Sequence, residues 1–174
     1  MQALAFWKAV TVDHADFLET LVSFLEEQAV RYCVVGGQAV NAYVEPLVSL
    51  DLDLALALGE IERIEPLLQE RFQVERFPHS LNLALEGSKL RVQLQTDPRY
   101  QEFAGRAARR EVLGVVLPVA AVEDVLQGKL WAAADPARRP SKRRKDVLDI
   151  ERIIDAYPNL RNRVPPTILH LLEP

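Results

Sequence analysis

The stretch VVGGQAVNAYVEPLVSLDLDLAL, residues 34–56, decides the fold. Tyr32–Val35 is an apolar run ending at Gly36-Gly37, which predicts a short buried strand stopped by a turn. Gln38–Tyr43 predict a short helix, closed by the loop around Pro46. Ser49–Ala57 alternate: Leu52, Leu54 and Leu56 fall on one strand face, and Asp51, Asp53, Ala55 and Ala57 on the other. Carboxylates at i and i+2 of a strand leave the same face about 6–7 Å apart. Glycines at a strand-to-helix turn let backbone amides approach an anion. Together they suit magnesium, which favours carboxylates plus substrate phosphates. Each feature also has an ordinary reading: Gly-Gly is a common turn, and Asp-x-Asp on a half-exposed strand is a solvated face. Ala55 and Ala57 tip the balance, because they make the strand apolar on both sides. Two unpaired carboxylates at its start would be costly to bury, a cost that a metal or positive side chains would remove.

Working outward, Asp13–Val30 read as an amphipathic helix with Asp13 as N-cap and Phe17, Leu21 and Leu25 on its buried face. A helix follows over Ile61–Phe72, with Pro66 as a kink. Strands are predicted at Gln73–Phe77, Leu81–Glu86 and Leu90–Gln95, the last two joined by a turn at Gly87-Ser88. One further β segment spans Glu111–Val119 and is interrupted by Gly114. Helices over Val122–Ala134 and Ser141–Tyr157 follow, and Thr167–Leu172 add a last helical turn. Helices first, strands in the middle and helices last describe an α+β fold with a mixed, mostly antiparallel sheet. A length of 174 residues suggests one domain, with its core over 13–119 and C-terminal helices over 122–172.

The formal charge is −4, but it is unevenly spread. Residues 138–145, RRPSKRRK, hold six basic residues and no acid, so the remainder carries 15 basic against 25 acidic residues, a net −10. A solvated helix start, contact with a nucleic-acid backbone and contact with an acidic partner are the three readings of such a run. Without interleaved aromatics it is not a base-stacking surface. A lone cysteine, Cys33, excludes an internal disulfide and reads as a buried, inert thiol. His14, His79 and His170 are scattered and suggest no metal site. Trp7 and Trp131 read as packing anchors. No apolar run nears the ~20 residues that span a bilayer, and MQALAFWKAV lacks a signal-peptide pattern. A cytoplasmic protein with no membrane association is the expectation.

On these residues the chain resembles the DNA polymerase β-type nucleotidyltransferase superfamily, in which a Gly-Gly or Gly-Ser pair precedes a short helix and an Asp-x-Asp strand. The later EDVLQGKLWAAADPARRPSKRRKDVLDIERI, residues 123–153, is similar to the C-terminal helices of the AbiEii-like and minimal nucleotidyltransferase branch. The resemblance spans roughly Tyr32–Tyr157. It implies that Gly36 and Gly37, with Ser49, hold a nucleoside triphosphate, and that Asp51 and Asp53 bind magnesium or manganese as the catalytic pair. It implies that Lys129 and Lys145 serve as phosphate or structural partners and that Asp146 anchors its helix. The implied reaction is transfer of a nucleoside monophosphate to a hydroxyl of RNA, protein or a small molecule. A toxin–antitoxin or defence system with a helical partner protein is the implied setting. Spacing alone also pairs Lys142 with Asp146 and Lys145 with Asp149 at i, i+4.

Two departures stand out. Active relatives carry a third carboxylate on a later strand, and here LRVQLQ, residues 90–95, puts Gln93 in its place. A glutamine amide takes no proton at neutral pH. Asp97 substitutes only if that strand continues. The Arg-x-Thr that often precedes the Asp-x-Asp is replaced by Leu47 and Ser49, which keeps a hydroxyl and loses the arginine. The alternative reading is therefore a catalytically degenerate binding module, an antitoxin or a nucleotide sensor.

Overall fold

The computed structural model describes residues 2–13 and 16–172. The chain runs α1 (Gln2–Thr11), α2 (Phe17–Glu27), β1 (Tyr32–Val35), α3 (Gly36–Asn41), β2 (Asp51–Leu56) and α4 (Glu60–Arg71). Then come β3 (Gln73–Phe77), β4 (Ser80–Ala84), β5 (Arg91–Gln95), β6 (Ala108–Val112) and β7 (Val115–Val119). It closes with α5 (Val122–Ala134), α6 (Pro140–Ala156) and α7 (Pro166–Leu169). Short 3-10 turns lie at Pro98–Tyr100, Phe103–Arg106 and Pro158–Arg163.

The strands form one sheet in the order β3-β4-β5-β2-β1-β7-β6. β2 runs parallel to β5 and β1 parallel to β7, while the other neighbours are antiparallel. The fold is thus α+β with a mixed, mostly antiparallel sheet. Leu52, Leu54, Val92, Leu94, Leu81 and Leu83 leave one face of its centre and are almost fully buried. They join Phe17, Leu21, Phe24 and Leu25 of α2 and Ile64 and Leu68 of α4 in a continuous apolar core. The opposite face of β2 and β5 is polar and is roofed by α5 and α6. Among the described residues no helix is long and apolar enough to cross a membrane.

Three local readings change. α1 has no counterpart in the sequence reading; it packs where a side chain at Gly114 would collide with the backbone of Leu4. The single β segment over 111–119 is a hairpin instead. Leu113 and Gly114 both have positive φ, 52° and 82°, which is the two-residue turn whose twist matches paired strands. α2 begins at Phe17 rather than Asp13, yet Asp13 still caps it: its carboxylate accepts from the amides of Phe17 at 2.9 Å and Leu18 at 3.3 Å. His14, part of the predicted helix, lies outside the described residues. α4 continues through Pro66.

Candidate functional site

The sheet register builds the site. Antiparallel β1 sets Val35 opposite Asp53, and parallel β5 sets Arg91 beside Asp51 and Gln93 beside Asp53. The chain leaving β1 therefore crosses the Asp53 carboxylate at once, at Gly36. That residue has φ +67°, and a Cβ there would run into Asp53 Oδ2. Glycine is required twice at this position, by backbone conformation and by space. Gly37 differs, since a Cβ there meets nothing within 4 Å. Gln38, buried in α3, donates to the Ser49 carbonyl at 3.1 Å. Asn41 holds Leu47 through both backbone groups, at 2.7 and 2.9 Å. These amides pin the loop that delivers β2.

A cavity of about 560 Å³ opens over the aspartates. Its floor is the polar face of β2, β5, β4 and β3; its roof is α5 and the start of α6. Asp51 and Asp53 sit in different electrostatic surroundings. The Asp51 carboxylate accepts from Arg91 Nε at 2.6 Å and lies 3.7 Å from Lys142 Nζ. Asp53 forms no ion pair among the described residues. Burial, then repulsion from Asp51, raise its proton affinity to about 6 against the pull of Lys129, Lys142 and Arg138.

Behind the cavity stands a buried charge cluster. Lys129 is 7% exposed and lies 3.0 Å from Asp146 and 2.8 Å from Asp149, each 1% exposed. Burial works against its charge, but the two carboxylates outweigh that and hold the ammonium above its usual range. Asp146 also accepts from Arg138 Nε at 2.8 Å and Nη2 at 3.2 Å. Asp149 accepts from Arg152 at 2.7 Å, and Arg152 reaches across to Asn41 and the Glu45 carbonyl. Asp146 thus ties α6 to α5 and aims the Arg138 guanidinium along the cavity wall. The i, i+4 pairs expected from spacing do not form, because burial gives Asp146 and Asp149 to Lys129 and the arginines.

Of the residues singled out from sequence, Gly36, Asp51, Asp53, Gln93 and Lys129 meet in this cavity, and Gly37, Ser49, Asp97 and Lys145 are not among its lining residues. Ser49 Oγ accepts from the Asp51 amide at 3.3 Å and so shapes the entry to β2. Lys145 is exposed on the outside of α6. Asp97 is not on the strand, which ends at Gln95. It caps the Pro98–Tyr100 turn and pairs with Arg99, which holds its carboxyl below the usual range. Sequence reading left out Tyr100, Asn82 and Glu75 and took Arg138 and Lys142 as members of the basic run 138–145; all five line the cavity. Arg138 and Lys142 carried their signal in that run of charge. The others are brought in by strand pairing and by the turn after β5. Tyr100 packs against Phe103 and Trp131, with ring centroids 5.2 and 5.3 Å away, and burial pushes its hydroxyl up to about 12.

Among the described residues no three acidic, histidine or cysteine side chains gather as a closed metal site. The donors present are two carboxylates and the Gln93 carbonyl. This hard oxygen set fits a magnesium-type ion that takes its other ligands from water and phosphate.

No protein-family profile and no curated protein matches the chain. Solved structures do. The antibiotic-resistance factor ANT(2'')-Ia superposes with a TM-score of 0.53 at 16% identity, over 84% of this chain and 90% of that one. The lincosamide antibiotic adenylyltransferase LnuA, bound to lincomycin, gives 0.53 at 13%, over 82% and 99%. ANT(2'')-Ia in complex with adenylyl-2''-tobramycin gives 0.52 at 16%, over 85% and 97%. At these identities the likeness is one of fold, and the fold is that of nucleotidyltransferases.

Proposed function

We propose that this chain is a nucleotidyltransferase-type protein that binds a nucleoside triphosphate with magnesium or manganese at Asp51 and Asp53. The observation that carries the reading is the meeting of opposite charges in one cavity. Two strand carboxylates under Gly36 share with Arg138 and Lys142, the latter 3.7 Å from Asp51, the lining of a space of about 560 Å³, within the ordinary range for small-ligand sites. Asp51 and Asp53, with the Gln93 carbonyl alongside, would hold the ion, which when bound screens the charge of the phosphate oxygens. Arg138 and Lys142 supply cations for the triphosphate tail. In the transfer, the acceptor hydroxyl oxygen bonds to the α-phosphorus. The bond from that phosphorus to the bridging oxygen breaks, and pyrophosphate leaves. The hydroxyl proton goes to water, because Gln93 cannot take it. Transfer is accordingly slow.

A second reading, a nucleotide-binding module without transferase activity, is favoured by two observations. Gln93 stands beside Asp53 where a third acid would serve, and Asp51 is already engaged by Arg91 and Lys142. The AbiEii-like resemblance, carried by the α5–α6 charge cluster, adds a toxin–antitoxin setting with a helical partner protein to the proposal. A cytoplasmic location and a single domain over 1–174, read from the length and hydropathy of the chain, complete the proposal.

The test has two stages. ATP or CTP with magnesium raises the melting temperature of the native chain, and the rise is lost in Asp51→Ala/Asp53→Ala. No rise with any of the four nucleotides overturns both readings. Labelled nucleotide is then offered with RNA, protein and small-molecule acceptors. Incorporation that depends on both aspartates supports the enzyme, and binding without incorporation supports the module.

A further inference from the structure

One arginine in the cavity is held unlike most others in the chain. Arg63, Arg76, Arg99, Arg106 and Arg138 each grip a carboxylate with two guanidinium nitrogens, Nε and Nη2. Arg91 grips Asp51 with one. Its Nε lies 2.6 Å from Oδ1, and its terminal nitrogens make no hydrogen bond among the described residues. The Arg91 side chain is 70% exposed and that of Asp51 28%. An exposed ion pair resting on a single bond contributes little to folding. The parallel register sets the two residues side by side, so the backbone fixes where the pair starts and the long arginine stem is free to turn.

The two aspartates are therefore unequal before any ligand enters. Asp51 has Arg91 at 2.6 Å and Lys142 at 3.7 Å, whereas Asp53 has no ion pair among the described residues. To admit a bare divalent cation, Asp51 must give up Arg91. The released guanidinium then finds no carboxylate beside it, because Gln93, next on the same face of β5, is neutral. A triphosphate changes this balance. Its oxygens offer the guanidinium the two-nitrogen grip that Asp51 does not, and Arg91 lines the same cavity as Arg138 and Lys142. We propose that Arg91 is a displaceable counter-ion, which guards Asp51 against a bare divalent cation and passes to a phosphate when cation and nucleotide enter together. Arg91 then couples the two ligands, each favouring entry of the other. The proposal rests on the nucleotide reading of the cavity and assigns within it a phosphate-binding residue outside the basic run.

The test compares the native chain with Arg91→Gln and with Arg144→Gln, which removes the same charge from an exposed position outside the cavity lining. Manganese without nucleotide is titrated by the loss of its free EPR signal, and ATP in excess magnesium by calorimetry. Arg91→Gln is expected to bind manganese alone about tenfold tighter than the native chain and magnesium–ATP about tenfold more weakly. Arg144→Gln is expected to move neither by more than about twofold. In the native chain the Arg91 Nε–H resonance is expected to shift with magnesium–ATP and to hold its place with the same concentration of magnesium alone. Manganese affinity that does not rise, ATP affinity that does not fall, equal changes in Arg144→Gln, or a resonance that ignores magnesium–ATP overturns the inference. Where the native chain still binds magnesium–ATP, such a failure is confined to Arg91. A native chain that binds neither manganese nor ATP also brings down the nucleotide reading.

Discussion

Asp53→Asn is expected to stabilise the metal-free protein, and only above about pH 4. The Asp53 carboxyl moves from an ordinary value of 3.8 to about 6, chiefly through burial. The folded state therefore holds a proton that the unfolded chain gives up between pH 4 and 6. The sign follows directly. Stability tied to this group is fully present below about pH 3.8, declines as pH rises, and is lost once pH passes about 6. A shift of about two units at 1.36 kcal/mol each makes the ionised form about 3 kcal/mol less compatible with folding than the protonated one. Asparagine has the shape of the protonated acid and never ionises. Its advantage over the wild type should be near zero at pH 4 and reach about 2–3 kcal/mol at pH 7.5. For a chain of this size that is about 4–12 °C in Tm.

Urea denaturation of both proteins at pH 4.0, 5.0, 6.0 and 7.5 measures this difference, since other carboxylates titrate alike in the two. A gain that is the same at every pH would assign the effect to packing. A loss of stability at pH 7.5 would refute the reasoning outright, because it would mean that the surrounding cations already compensate the charge. Magnesium and ATP should invert the order: they stabilise the wild type by mass action and leave the asparagine variant where it was.

Gly36→Ala should cost at least about 2 kcal/mol, from the positive φ and the encounter with Asp53, while Gly37→Ala should stay within about 0.5 kcal/mol. In an Asp53→Ala background the Gly36 cost should fall by the steric part, which a double-mutant cycle in urea isolates. Burial pushes the Cys33 thiol up to about 12, so a thiol reagent at pH 8 should label the native protein only through unfolding and react promptly in urea. Lys129→Met should destabilise by about 3 kcal/mol, since it removes the cation shared by two buried carboxylates and leaves each with an arginine alone. Lys142→Met, whose side chain is half exposed, should leave stability within about 0.5 kcal/mol yet weaken ATP binding several-fold, and the reverse pattern in melting and titration would exchange their roles.

The strand–glycine–strand core was legible because its signals are local. An apolar run ending in Gly-Gly and a period-two pattern with Asp51 and Asp53 on one face need no knowledge of the rest of the chain. α1 was not legible, because its justification is a tertiary contact with the β6–β7 turn. The hairpin over 108–119 looked like one strand because Leu113 at positive φ is not a residue type that announces a turn. Lys145 and Lys142 show the limit most clearly. Both stand in the same basic run, and only the packing of α6, set by Asp146 and Asp149 turning inward to Lys129, decides that Lys142 faces the cavity and Lys145 faces water.

That packing also accounts for an acidic chain keeping six basic residues in eight. Arg138 and Lys142 line the cavity, Arg143 folds back to the Asp135 carbonyl at 2.6 Å, and Arg139, Arg144 and Lys145 remain exposed. Basic residues at a helix start oppose the helix dipole, and here no acid in the first turn relieves them. Lys129 is held by two buried carboxylates, so on the proposed nucleotide reading the cations that the roof offers phosphate come from this basic segment. The unfavourable placement of the run and the saturation of Lys129 are therefore one arrangement. The core lysine fixes the helix, and the fixed helix brings Lys142, with Arg138 just ahead of it, into the lining of the cavity that holds Asp51 and Asp53.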